Sequence, residues 1–245
     1  FSYSGIVSSE SPAKVEKLLY KIKMVGFKQI KLKVGQDLDN DLANLNLARS
    51  ILGPEVEIRI DVNAAWNLDQ ALEAIPQFIR NGVRTIEQPL PAECRDDYPK
   101  LMKTFDGDAH IIVDESVCTF SNAAWFIENR AAAGFNLKIA KHGGLLNTLK
   151  IYRLAQENGL SCQLGCHVGE TSILTAAGII FSGMAENLVA VEGGYGKHLL
   201  EHDVVKNPLQ FGSRGKGCTC EISSSSGLGI QISESLLNTA TSEIL

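Results

Sequence analysis

The stretch Ile30-Lys31-Leu32-Lys33-Val34-Gly35 decides how this chain is read. Ile30, Leu32 and Val34 alternate with two lysines, so the twofold period of a strand puts both ammonium groups on one face and the aliphatic groups on the other. Read alone, such a segment is a half-exposed edge strand with a solvated lysine face. If that face turns inward, two like charges lose hydration together, which a fold does not do for stability. The surrounding chain decides between the two readings.

Outward from this stretch, short Val- and Ile-rich runs alternate with longer amphipathic ones. Strands are expected at 3–7, 28–34, 57–61, 83–87, 110–114, 135–139, 161–164 and 188–192. Helical patterns fill the gaps at 13–25, 41–52, 68–81, 98–105, 122–129, 145–158 and 172–184. Gly26, Gly82, Gly134 and Gly159 each stand between a helical pattern and the next strand, where a left-handed C-cap is wanted. Ser121 and Asn122 stand where an N-cap would. Eight βα-like units imply a parallel sheet closed on itself. The competitor, an open doubly wound sheet, would show a Gly-rich phosphate loop after its first strand, and none is present. The expected fold is therefore α/β, a (β/α)8-type TIM barrel over residues 1–195. Residues 196–245, with their turn-rich stretches and the short serine run at 223–226, read as an irregular extension packed on the barrel or on a further domain.

A chain of 245 residues, 44% hydrophobic and 21% charged, suits one large globular domain of this kind. A formal charge of -5 without a basic stripe argues against nucleic acid as a partner. No apolar run approaches the roughly 18 residues that span a bilayer, and no charged-then-apolar leader precedes the first strand. A cytoplasmic location is the expectation. The six cysteines, Cys94, Cys118, Cys162, Cys166, Cys218 and Cys220, form no CxxC pair and read as free thiols. A zinc site on Cys162, Cys166 and His167 lacks a second ligand pair.

The chemistry lies at strand ends. Lys33, Asp61, Glu87, Asp114 and Lys138 fall at the C-terminal ends of the second to sixth expected strands, each one βα unit from the last. They should share the rim on which this barrel class builds its active sites. Three carboxylates gathered there would repel one another unless a hard cation joined them, and all-oxygen ligation favours Mg²⁺, with Mn²⁺ as the alternative, over Zn²⁺. Lys33 and Lys138 would flank the cation as bases on opposite faces of a small-molecule carboxylate. That arrangement suits removal of a proton α to a carboxylate, because the metal stabilises the enediolate charge where it develops. A lysine base must lose its proton far below its ordinary value of about 10.4. Lys31 beside Lys33, together with the metal, would favour that loss.

With these residues in view, the sequence resembles the enolase superfamily and, within it, the muconate-lactonizing-enzyme-like subgroup. The resemblance is carried by Lys31-Leu32-Lys33, Asp61-Val62-Asn63-Ala64-Ala65-Trp66, Ile86-Glu87-Gln88-Pro89-Leu90, Asp114-Glu115-Ser116 and Asn136-Leu137-Lys138, with Lys141-His142-Gly143-Gly144 following. It implies Asp61, Glu87 and Asp114 as metal ligands, Lys33 and Lys138 as the acid/base pair, Lys31 as a tuning residue, and Asn63 and Glu115 as supporting residues. Relatives with a histidine base place it after the seventh strand. His167 lies there, near Glu170, but Lys138 occupies the place of its partnering acid, so His167 reads as a pocket-lining or structural residue. Members carry an N-terminal α+β capping domain, and this chain begins almost at its first strand, so that domain is expected to be missing. Dipeptide epimerases of the subgroup have an Asp-x-Asp on the eighth strand. Here Val191-Glu192-Gly193-Gly194 stands instead, which counts against a dipeptide with a free amine. Glu192 reads first as a loop carboxylate, with contact to a cationic group as the alternative that keeps it, like Glu170, among the supporting or substrate-facing residues. The resemblance further implies a homo-oligomer. The leading expectation is a racemase, epimerase or muconate-type cycloisomerase. A lyase using the same enediolate and a non-catalytic barrel are the alternatives.

Overall fold

The computed structural model describes residues 1–8, 10–212 and 227–242. Eight parallel strands follow one another in sequence order: β1 (Gly5–Val7), β2 (Gln29–Lys33), β3 (Glu57–Asp61), β4 (Thr85–Glu87), β5 (His110–Val113), β6 (Gly134–Leu137), β7 (Ser161–Leu164) and β8 (Leu188–Val191). A parallel bridge between Tyr3 and Val191, with Ser4 N donating to Val191 O at 2.8 Å, joins the last strand to the first. The sheet is a closed barrel, as expected.

Helices connect the strands on the outside: α1 (Pro12–Val25), α2 (Leu38–Leu52), α3 (Leu68–Arg80), α4 (Tyr98–Thr104), α5 (Phe120–Glu128), α6 (Leu145–Glu157) and α7 (Ser172–Met184). A 3₁₀ turn at Ala92–Asp97 precedes α4. Their apolar faces meet the outward strand residues in one continuous core that includes Leu19, Ile30, Leu32, Leu45, Ile60, Phe78, Phe126, Phe135 and Phe181. Helix ends are set locally. Asn67 and Gln70 form a reciprocal capping box at the start of α3, with both bonds at 2.9 Å.

Two caps differ from expectation. The N-cap of α5 is Thr119, not Ser121 or Asn122; Asn122 instead reaches back to the Thr119 backbone at 3.0 Å, completing a second capping box. Gly134 caps no helix but opens β6. A Cβ there would lie 2.3 Å from Ser161 Oγ and 2.7 Å from Ser161 O, so the close approach of β7 requires glycine. Gly26 and Gly159 do follow helices with positive φ, 82° and 74°.

Several expected strands run one residue beyond the paired ladder. Asp114, Lys138 and Glu192 each stand immediately after a strand, where pairing has ended but the chain still points its side chains by strand parity. After β8 the chain forms a short helix α8 (Gly196–Leu199), an antiparallel bridge between Val205 and Ile232, and α9 (Glu234–Ser242). Phe211 packs edge-on against Phe27 and Tyr195, and Ser172 donates to Asp203, which ties this segment to the barrel. The serine run at 223–226, together with Cys218 and Cys220, lies outside the described residues. Cys94, Cys118, Cys162 and Cys166 are free thiols.

Candidate active site

Strand register brings the charged residues together. Lys33 pairs with Asp61, and Asp61 with Glu87, so these three stand side by side on β2, β3 and β4. By parity Lys31, Arg59, Asn136 and Gln163 face the same interior, and all four are buried. The inside of this barrel is polar, and its groups are joined from wall to wall.

Lys31 is the hub. Its Nζ lies 2.9 Å from Glu192 Oε2, 3.2 Å from Asp61 Oδ2 and 3.3 Å from Glu87 Oε1. Burial disfavours its charged form, but Glu192, Glu87 and Asp61 outweigh that and hold its ammonium well above the ordinary lysine range. Lys31 was expected to press on Lys33 as a bare like charge. The packing gives it a different part, a cation neutralised by three carboxylates. Arg59 lies deeper, donating to Gln163 Oε1 at 2.5 Å, Glu192 Oε1 at 3.1 Å and Ser4 Oγ at 3.1 Å. Glu192 is thus no loop carboxylate. It is buried between Lys31 and Arg59, and although burial raises its pKa, those two cations bring it below the usual range.

Glu87 stands in the middle. Besides Lys31, it accepts from Asn136 Nδ2 and Gln163 Nε2, each at 2.6 Å. Burial pushes its carboxyl up to about 7, against the pull of Lys31. Asp114 accepts from Lys138 through Oδ2 and from Lys141 through Oδ1 at 2.6 Å. Burial raises its pKa, and Lys141 and Lys138 more than offset this, leaving it below the normal carboxylate range. Gln88 accepts from Asp114 N at 2.7 Å and donates to Ser116 Oγ at 2.6 Å, fixing the turn after β5.

Lys33 lies on the other side of the mouth. Its Nζ donates to Asn63 Oδ1 at 2.8 Å and is 4.0 Å from Asp61 Oδ2. Asn63 in turn donates to Glu115 Oε1 at 3.3 Å. Asn63, Ala64 and Gln88 all adopt left-handed backbone, at φ 47°, 62° and 39°. Three non-glycine residues in that region, just past β3 and β4, concentrate backbone strain beside the charged cluster. His167 is exposed on the loop after β7, its backbone N donating to Glu170 Oε1 at 2.8 Å. Burial and the nearby Lys138 lower the His167 pKa, while burial raises that of Glu170. His167 is therefore a rim residue rather than an internal support.

The donor set suits a hard divalent cation. Three buried carboxylates supply only oxygen, and Asn136 Oδ1 lies buried beside them without a hydrogen-bond partner among the described residues. In the structure, however, the carboxylate oxygens are taken by ammonium and amide hydrogens. Among the described residues, no group of three acids, histidines or cysteines stands at metal-holding distances. The joining of the three acids that was expected of a cation is made here by the chain's own donors: Lys31 bridges Asp61 to Glu87, and Asn136 bridges Glu87 to Asp114.

Sequence reasoning passed over Arg59, Gln88, Asn136, Gln163 and the role of Lys141. A signal existed for three of them: Arg59, Asn136 and Gln163 are polar residues at inward parity within otherwise apolar strands.

A closed parallel barrel with a charged cluster at the C-terminal ends of its strands defines the class. The family described as "Enolase C-terminal domain-like" matches residues 14–236, and the chain belongs to it. It is 32% identical over 173 residues to the L-Ala-D/L-Glu epimerase of Clostridium acetobutylicum, a match covering 70% of this chain and 48% of the relative. It is 30% identical over 224 residues to muconate cycloisomerase 1 of Acinetobacter baylyi, covering 88% and 57%. Among solved structures it superposes on a dipeptide epimerase from Cytophaga hutchinsonii, solved with Mg and the dipeptide D-Ala-L-Val, with a TM-score of 0.87 at 26% identity, over 98% of this chain and 63% of that one. The chain thus spans about half to two thirds of the length of these relatives. No helix among the described residues is long and apolar enough to cross a membrane.

Proposed function

We propose that this chain forms the catalytic barrel of an isomerase that removes a proton α to a carboxylate and returns it to the opposite face. The observation that carries this reading is the placement of Lys33 and Lys138 on opposite sides of three adjacent strand-end carboxylates. Asp61, Glu87 and Asp114 would hold Mg²⁺, with Mn²⁺ as a substitute. When bound, the cation supplies charge stabilisation to the substrate carboxylate as the α-proton leaves.

The chain's own residues do the rest. Lys33 and Lys138 carry the proton at their Nζ atoms, one taking it and the other returning it. Asn63 holds Lys33 at 2.8 Å through a neutral acceptor, and Asp114 holds Lys138 as an ammonium. Lys31 and Arg59 keep Glu192 turned into the barrel. That supports a substrate whose nitrogen, if it has one, is acylated, because the eighth strand then has no carboxylate to spare for a free ammonium. An N-acylated amino acid fits. A muconate-like diacid would use the same site differently, its remote carboxylate oxygen adding to the double bond and one lysine delivering a proton to the α-carbon of the resulting enediolate.

The test is incubation with Mg²⁺ in deuterated water against N-acylated amino acids, dipeptides, betaines and muconates. Deuterium at Cα with inversion is expected for one class. Loss of water with a new double bond would replace the isomerase with a lyase, and no exchange with any carboxylate would overturn the proposal.

A further inference from the structure

Two lysines bind Asp114, and they do so in different ways. An ammonium has three hydrogens to donate. Lys141 places all three on fixed acceptors: Asp114 Oδ1 at 2.6 Å, Asp114 O at 2.7 Å and Asn136 O at 2.9 Å. Two of those acceptors are main-chain carbonyls, one just past β5 and one within β6. Lys138 reaches only Asp114 Oδ2 among the described residues, so two of its hydrogens remain for other partners. Asp114 is therefore divided, with Oδ1 fastened to the strand ends through Lys141. Its Oδ2 is presented to the interior, where Asn136 Nδ2 also approaches at 3.3 Å.

We propose that Lys141 is a positioning residue. It clips the ends of β5 and β6 together and fixes the Asp114 carboxylate so that Oδ2 faces the site, while Lys138, tied only to Oδ2 among the described residues, keeps two donor hydrogens for other partners. The inference rests on the proposed function, which takes Asp114 as a metal ligand and Lys138 as a proton carrier. It goes beyond that reading in giving a distinct role to Lys141, to which the sequence assigned none.

The alternative, that Lys141 is merely a nearby charge, predicts the opposite sign. Removing a cation beside a metal ligand relieves repulsion and should tighten metal binding. Removing a clip should weaken it, because Asp114 loses its orientation. The experiment measures Mn²⁺ binding to the protein by electron paramagnetic resonance, with Mn²⁺ alone as the probe, in wild type, Lys141→Met and Lys141→Arg.

Lys141→Met is expected to weaken Mn²⁺ binding about tenfold or more and to lower kcat with little change in KM. Lys141→Arg, which keeps the donors and the charge, should recover most of the loss. Unchanged or tighter Mn²⁺ binding in a folded Lys141→Met would overturn the proposal. If Lys141→Met does not fold, Lys141→Gln, which keeps an N–H donor, takes its place: binding weaker than wild type supports the clip, and equal or tighter binding overturns it. The two levels of inference stay distinguishable. Failure of the wild type to bind Mn²⁺ or to exchange an α-proton defeats the proposed function, whereas a wild type that does both beside an equally competent Lys141→Met defeats only the role of Lys141.

Discussion

The two sides of the barrel mouth are built from the same residue type in opposite surroundings. On the β2–β3 side, the Lys33 side chain is 35% exposed and its Nζ rests on a neutral amide oxygen. On the β5–β6 side, the Lys138 side chain is 14% exposed and is paired directly with the Asp114 carboxylate. Burial disfavours the charged form of Lys138, but Asp114 outweighs that and raises its pKa. An ammonium held against a carboxylate is an acid with its counter-charge in contact, whereas the Lys33 Nζ has a neutral acceptor in contact and its nearest carboxylate oxygen only at 4.0 Å. Two lysines that look interchangeable in sequence thus sit in different electrostatic surroundings, and under the proposed function that difference should show in the two directions of proton transfer.

The largest effect expected from this asymmetry is on turnover. Lys33→Ala and Lys138→Ala should each reduce isomerisation about a thousandfold, the middle of the range for losing a general acid or base. Each should leave the fold intact, since neither side chain belongs to the apolar core. The sharper measurement is α-proton exchange in deuterated water with each enantiomer separately. Each variant should lose exchange of the enantiomer whose proton faces the missing lysine while keeping a measurable rate with the other. Equal loss on both enantiomers in both variants would break the two-sided picture.

Glu87 stands between the two sides, bonded to Lys31 and Asn136, and it yields a pH prediction. Its carboxyl is raised from 4.5 to about 7, chiefly by burial, so folding favours its protonated form. The destabilisation from holding it ionised is absent below about pH 4.5, grows as pH rises to about 7 and is constant above that. Measured without added divalent metal, the urea stability of wild type relative to Glu87→Gln should therefore fall between pH 5 and pH 8, by up to about 3 kcal/mol. Comparison with the variant cancels the titration of groups the two proteins share. Parallel pH profiles would show that the local cations already hold Glu87 ionised at no cost.

How much of this could be read from the chain follows from what each feature depends on. The barrel was legible because the alternation of strand and helix is a local signal: β3 and β7 fall where expected, and α7 matches its expected bounds. The five charged strand ends were legible because equal spacing by one βα unit survives any detail of loop conformation. Contacts made across the barrel were not. Arg59 meets Gln163 across 104 residues of sequence and Glu192 across 133, and only closure of the sheet brings them together. For Glu192 the loop reading stood ahead of a cationic partner for the same reason, since a carboxylate before two glycines looks like a loop until Lys31 and Arg59 close on it. Gly134 was misread because a glycine between helix and strand serves equally as a cap or as room for a neighbouring strand, and the sequence carries nothing about Ser161.

The smallest expected effect tests the finer half of the comparison. Asn63 is exposed, lies in the left-handed turn after β3 and gives Lys33 its one close acceptor among the described residues. Asn63→Ala removes that bond and leaves Asp61 Oδ2, at 4.0 Å, as the nearest charged group. An intramolecular hydrogen bond contributes about 1 kcal/mol, so the rate of proton removal on the Lys33 face should drop about fivefold. Alanine also fits left-handed backbone less readily than asparagine, so a small loss of thermal stability should accompany it. The rate on the Lys138 face should stay within about a factor of two, because no hydrogen bond links Asn63 to Asp114 or Lys138. A fivefold loss on both faces would make Asn63 a general support of the mouth. If neither face changed, the turn alone would be holding Lys33, and its neutral acceptor would have no part in the asymmetry.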